Sequence, residues 1–100
     1  MFLDKYVNNL YLELIYSNYD QEYLSKLDES KFLKVYQLLN KNGFYYLEDI
    51  IVNYLELFEI DVYRVEKALI EIEKLIGEDY VSKIGKNMSI INEIIRLSSY

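Results

Sequence analysis

The chain of 100 residues carries 17 acidic against 11 basic side chains, a net charge of −6, and has no histidine, cysteine or proline. That length suits one domain spanning residues 1–100, able to bury roughly 60 to 70% of its unfolded surface, and an apolar content of 52% argues against disorder from low hydrophobicity and high charge. Without His or Cys, the commonest general base, the Ser-His and Cys-His nucleophile pairs, a disulfide framework and the usual zinc sites are excluded.

Apolar residues recur at helical spacing almost throughout, and the three glycines stand apart at 43, 77 and 85, so the expected fold is all-α. Leu3, Tyr6, Val7, Leu10 and Leu14 follow a three-and-four spacing that predicts a helix over about residues 3 to 17. Asp20 then caps a short turn reaching Leu27. Asp28 reads as the next N-cap, with Leu27 and Phe32 as a hydrophobic staple, and the helix it opens runs to Asn42 and stops at Gly43. A helix from about Tyr45 to Phe58 turns Leu47, Ile50, Ile51, Tyr54 and Phe58 inward and leaves its acids on the wet side. Ile60 and Val65 repeat the staple around Asp61, Val62, Val65, Leu69, Ile72 and Ile76 form the buried stripe, and Gly77 ends that helix. Both Gly43 and Gly77 are expected at positive φ. Tyr80, Val81 and Ile84 make a short helix broken near Gly85, and Ser89 caps a last one carrying Ile90, Ile91, Ile94, Ile95 and Leu97.

Tyr11 to Tyr19 matches Tyr46 to Tyr54 at six of nine positions, an offset of 35 residues, and Tyr80, Val81, Ile84 and Asn87 form a weaker third copy a further 34 along. The chain therefore reads as a small helical bundle or a short stack of about two and a half helical hairpins, with a repeat of about 34 to 35 residues. Chance matches in a chain so rich in Ile, Leu, Asn, Lys and Tyr are the alternative. The tetratricopeptide repeat has this length, but its small crossing residues are missing, since Ala68 is the only alanine.

No Gly-rich phosphate loop is present, and Glu66 and Glu73, which share one helix side, are interspersed with Lys67, Glu71 and Lys74 as a salt-bridged face rather than a metal site. Neither a cofactor nor a metal is expected. From Asn42 to Tyr63 the chain has five acids, Glu48, Asp49, Glu56, Glu59 and Asp61, and no base. With Tyr45 they form the candidate partner-binding surface, a single-sign patch that would attract a basic, nucleic-acid-binding protein and work against direct binding to duplex DNA. Tyr16, Tyr19, Tyr23, Tyr45 and Tyr63 fit the inward stripes poorly, and exposed Tyr favours interfaces.

The leading expectation is a non-enzymatic, cytoplasmic interaction protein that inhibits or regulates such a partner, by analogy with the proteins that phages and mobile elements encode against host defence nucleases. The start of the chain lacks the long apolar run of a signal peptide or spanning helix, and no membrane association is expected. One alternative is a homo-oligomeric structural protein, with a homodimer through exposed Tyr and Ile of the last helix. The other is a helical-repeat nucleic-acid-binding protein using Lys26, Lys31, Lys34 and Lys41.

Overall fold

The computed structural model describes residues 1–99, whose only regular secondary structure is helical, with no strand. A 3₁₀ turn (Phe2–Lys5) leads into α1 (Asn9–Asn18), α2 (Gln21–Ser25), α3 (Glu29–Lys41) and α4 (Leu47–Asn53). A second 3₁₀ turn (Leu55–Glu59) then precedes α5 (Val62–Ile76), α6 (Tyr80–Lys86) and α7 (Ile90–Ser98).

Where a boundary is set by a local cap, sequence and structure agree. The Asp28 side chain accepts from the amides of Ser30 and Lys31 at 2.8 and 3.2 Å, and Asp61 accepts from Tyr63 N at 2.9 Å. At the end of α3, Gly43 has φ +88°, its amide reaches Asn40 O, and Phe44 N reaches Leu39 O. Those two bonds, with Leu39 and Phe44 both buried, make a Schellman closure. Gly77 also has positive φ, but at φ 108° and ψ 175° it occupies the extended region open almost only to glycine rather than the left-handed helical one.

Two expected boundaries are corrected. The helix over residues 3 to 17 is interrupted at Tyr6–Asn8, because Asn8 caps α1 by accepting from Tyr11 N at 3.1 Å while its own amide donates to Glu48 Oε2 at 2.9 Å. The interruption shifts the helical phase, so Ile15 is buried and Leu10 and Leu14, expected inside, are exposed. The helix expected over Tyr45 to Phe58 begins at Leu47 and breaks at Tyr54, whose φ is −138° and ψ 47°. Ile50, Ile51, Val52, Leu55, Leu57 and Phe58 are all buried, and one straight helix with a single apolar stripe could not hide so broad a set. The freed Leu55 amide donates to the Tyr19 hydroxyl at 3.2 Å. As expected, α6 is short and ends near Gly85, one residue on at Lys86. Asp20 and Ser89 stand at the N-caps of α2 and α7, but neither side chain bonds a helix amide, and the Ser89 hydroxyl donates to Asn87 Oδ1 at 2.5 Å instead.

The helices pack as a small bundle. α1 lies against α4, α3 against α5 and the second 3₁₀ turn, and α5 against α7, within extents of 37 × 25 × 20 Å. Val65, Ala68, Leu69 and Ile72 form the buried side of α5, and Ile91 and Ile94 meet it from α7. At the amino-terminal end, Phe2 and Tyr6 pack on Phe32 at ring-centroid distances of 5.3 and 4.9 Å, and Phe32 stacks on Phe58 at 4.7 Å.

Tyrosines tie together segments that are far apart in the chain. Tyr11 OH donates to Asp49 Oδ1, 38 residues on, Tyr19 OH accepts from Leu55 N, 36 residues on, Tyr23 OH donates to Glu59, 36 residues on, and Tyr46 OH donates to Val81 O, 35 residues on. Each of these long-range bonds spans about one repeat length, which accounts for four of the twelve tyrosines as amphipathic ties with a ring in the packing and a hydroxyl on a polar partner.

Candidate interaction surface

The predicted acidic surface divides into parts with different surroundings. Glu48 and Asp49 lie in the first turn of α4 and are half-buried. They share a hollow of about 320 Å³ with Leu47 and five tyrosines, Tyr6, Tyr11, Tyr36, Tyr45 and Tyr46, and its lining contains no lysine or arginine. Each acid uses one oxygen internally: Glu48 Oε2 accepts from Asn8 N at 2.9 Å and Asp49 Oδ1 from Tyr11 OH at 3.2 Å. The negative charge of Asp49 beside it, and the bond to that carboxylate, hold the Tyr11 phenol above its usual value.

Glu56, Glu59 and Asp61 go elsewhere. Glu59 shares one hollow with Lys26, Asp28 and Lys31, and another with Lys31, Asp61 and Arg64, so neighbouring bases offset the field of that part. Asp61 is committed to the α5 cap and Glu59 to the Tyr23 hydroxyl. Reversing Glu56 and Glu59 together would therefore remove the acceptor that holds Tyr23, whose ring stacks on Tyr19 at 5.5 Å. Glu56 itself is exposed. Burial, followed by the Glu59 carboxylate, raises the Tyr23 phenol well above the ordinary range, and Tyr19 is raised chiefly by burial.

Tyr45 is 76% exposed and crosses Tyr46 edge to face at 4.8 Å. Tyr46 is buried, with its hydroxyl held by Val81 O at 2.5 Å, and burial raises its phenol too. The two rings rest on Gly85: a Cβ there would lie 2.9 Å from Tyr46 Cε1 and 3.1 Å from the Tyr45 hydroxyl. Gly85 is thus a positioning residue that the sequence presented only as a helix breaker.

No protein-family model, curated protein or solved structure matches this chain.

Of the tyrosines that fitted the stripes poorly, Tyr16, Tyr45 and Tyr63 are exposed while Tyr19 and Tyr23 are half-buried. On α7, Ile91 and Ile94 are buried and Ile90 and Ile95 half-buried, so the isoleucines proposed for a homodimer face mostly serve the chain's own core. Exposed apolar side chains stand instead on α1, at Leu10, Leu14 and Tyr16, and on α5, at Tyr63, Ile70 and Leu75. Glu66 and Glu73 share a small hollow with Asn42, Leu69, Ile70 and Tyr80, and Glu71 pairs with Lys74 at 3.5 Å. Among the described residues no helix is long and apolar enough to cross a membrane.

Proposed function

We propose that the chain is a non-enzymatic interaction module that docks a basic segment of a protein partner, and so inhibits or regulates a nucleic-acid-binding protein in the cytoplasm. The single observation that supports this reading is the hollow of Tyr45, Glu48 and Asp49, which has two carboxylates and no base, in a chain of net charge −6. Such a surface steers a cationic partner and rejects a phosphate backbone, and exposed tyrosine adds contact area with little rotamer entropy to lose. Anti-defence proteins of phages and mobile elements remain the nearest functional analogy.

The test is to recover a partner on the immobilised chain and measure its affinity at two salt concentrations for the native protein and for the double variant Glu48→Gln, Asp49→Asn, which keeps both hydrogen-bond acceptors. An affinity that falls with salt and with neutralisation is expected. Affinity indifferent to both, or appreciable binding to duplex DNA at physiological salt, would overturn the reading.

A second reading, self-association, is favoured by the exposed Leu10 and Leu14, four residues apart on α1. A salt-independent dimer mass in solution that reverts to monomer in Leu10→Ser would support it, and a monomer at high concentration would dismiss it.

A further inference from the structure

Resting on the reading above, we infer that the tyrosine-lined hollow between the amino-terminal turn, α1, α3 and α4 is a receptor for one guanidinium group, the end of an arginine side chain supplied by the basic partner. Three features support this choice of occupant. First, the walls are aromatic. Tyr6 and Tyr36 lie with centroids 5.0 Å apart and planes tilted by 56°, and Tyr45, which stands at 86° to the buried Tyr46, is 76% exposed, so its ring is open to a ligand at the rim. An aromatic face attracts a cation through its quadrupole, and a planar guanidinium can stack on it as well.

Second, the charge is uncompensated. Glu48 and Asp49 share this lining with no lysine or arginine, whereas Glu59 and Asp61 line hollows that contain Lys26, Lys31 or Arg64. A cation supplied from outside is therefore favoured here over the rest of the acidic stretch. Third, the fixed hydrogen bonds leave acceptors. Glu48 Oε2 and Asp49 Oδ1 are occupied by Asn8 N and Tyr11 OH, which orients both carboxylates while their second oxygens remain to receive N–H donors. A guanidinium fork can use two such oxygens with its edge while its face lies on a ring, which a lysine ammonium cannot do. The volume of about 320 Å³ suits a side-chain terminus with its stem, and lies at the small end of the range of roughly 300 to 1,000 Å³ for ligand clefts.

The experiment titrates the full chain at low salt with three short peptides, alike except for a central arginine, lysine or citrulline, and follows tyrosine and backbone resonances by NMR. Citrulline keeps the planar shape and loses the charge. The arginine peptide should bind saturably, shift Tyr6, Tyr11, Tyr36 and Tyr45, and bind about tenfold more tightly than the citrulline peptide, with the lysine peptide between them. Asp49→Asn and Tyr45→Leu should each weaken the arginine peptide several-fold, while Glu56→Gln leaves it unchanged. Tyr45 is exposed and asparagine can still accept the Tyr11 bond, so both variants should keep native circular dichroism and melting temperature. Equal binding of arginine and citrulline peptides would overturn the inference, as would indifference to both cleft variants. If arginine-dependent shifts gather instead around Glu56, Glu59 and Asp61, the guanidinium site falls and the broader interaction reading stands. If no basic peptide binds anywhere, both fall.

Discussion

Gly85→Ala sets two physical effects against one another at a single position. Gly85 lies in the last turn of α6, where alanine is favoured over glycine by at most about 1 kcal/mol through backbone entropy. Local propensity therefore predicts a more stable protein. The tertiary structure predicts the reverse, because the added methyl would sit 2.9 Å from Cε1 and 3.3 Å from Cδ1 of Tyr46. That ring has little freedom to retreat: it is buried, its hydroxyl is tied to Val81 O at 2.5 Å, and it abuts Phe44 at 5.7 Å. The Tyr45 hydroxyl, 3.1 Å away, belongs to an exposed side chain and can swing aside. Overpacking of this kind costs about 1 to 3 kcal/mol, so after the propensity gain a net loss of about 1 kcal/mol is expected, a fall in Tm of about 4 to 8 °C for a domain of this size. Thermal unfolding followed by circular dichroism measures it. Repeating the substitution in a Tyr46→Phe background, where the ring has lost its tether to Val81 O, should reduce the penalty, and the difference between backgrounds reads the coupling directly. A rise in Tm in the native background, or an identical penalty in both, would refute the claim that Gly85 is required by the ring above it.

Leu69 is 3% exposed at the contact of α5 with its neighbours, so Leu69→Ala should cost about 2 to 5 kcal/mol in urea unfolding, and a loss below 1 kcal/mol would mean that this face is not the core. Gly77→Val should cost at least about 1 kcal/mol, since φ is +108° and a Cβ would stand 3.2 Å from Asp79 Oδ1; a variant as stable as the native chain would show that the residue can leave that conformation freely. Asn8→Ala removes the acceptor for Tyr11 N and should cost about 0.5 to 2 kcal/mol, with the loss of amide protection confined first to α1. The phenols of Tyr11, Tyr19, Tyr23, Tyr46 and Tyr80 are all raised above 10.0. The folded state therefore holds their protons more firmly than the unfolded chain, and the stability this contributes is complete below pH about 10 and is lost as pH rises through the folded values. Tyrosinate absorbance and helical dichroism recorded together should show a late group of phenols ionising as the helices melt; titration of every phenol near 10 with the helices intact would contradict it.

The sequence by itself determined whatever depends on neighbours a few residues apart. Asp28 and Asp61 cap because a short acceptor side chain reaches amides two or three residues on, Gly43 and Gly77 end helices because their φ values exclude most other residues, and Val65, Leu69 and Ile72 of the α5 stripe are buried, with Val62 and Ile76 half-buried at its ends, because their spacing matches the helical period. The tertiary structure decided whatever required partners distant in the chain. The break before α1 depends on Glu48 taking the Asn8 amide, the break at Tyr54 on the Tyr19 hydroxyl receiving Leu55 N, and the need for glycine at 85 on a Tyr46 ring that leaves no room for a Cβ there. The acidic stretch shows the same division. Its five carboxylates and missing bases can be counted in the sequence, but their field depends on distance in space. The fold carries Glu59 and Asp61 to Lys26, Lys31 and Arg64, while it surrounds Glu48 and Asp49 with tyrosine. Linear charge density cannot separate those outcomes, because screening and pairing act over the few ångströms between side chains and not along the chain.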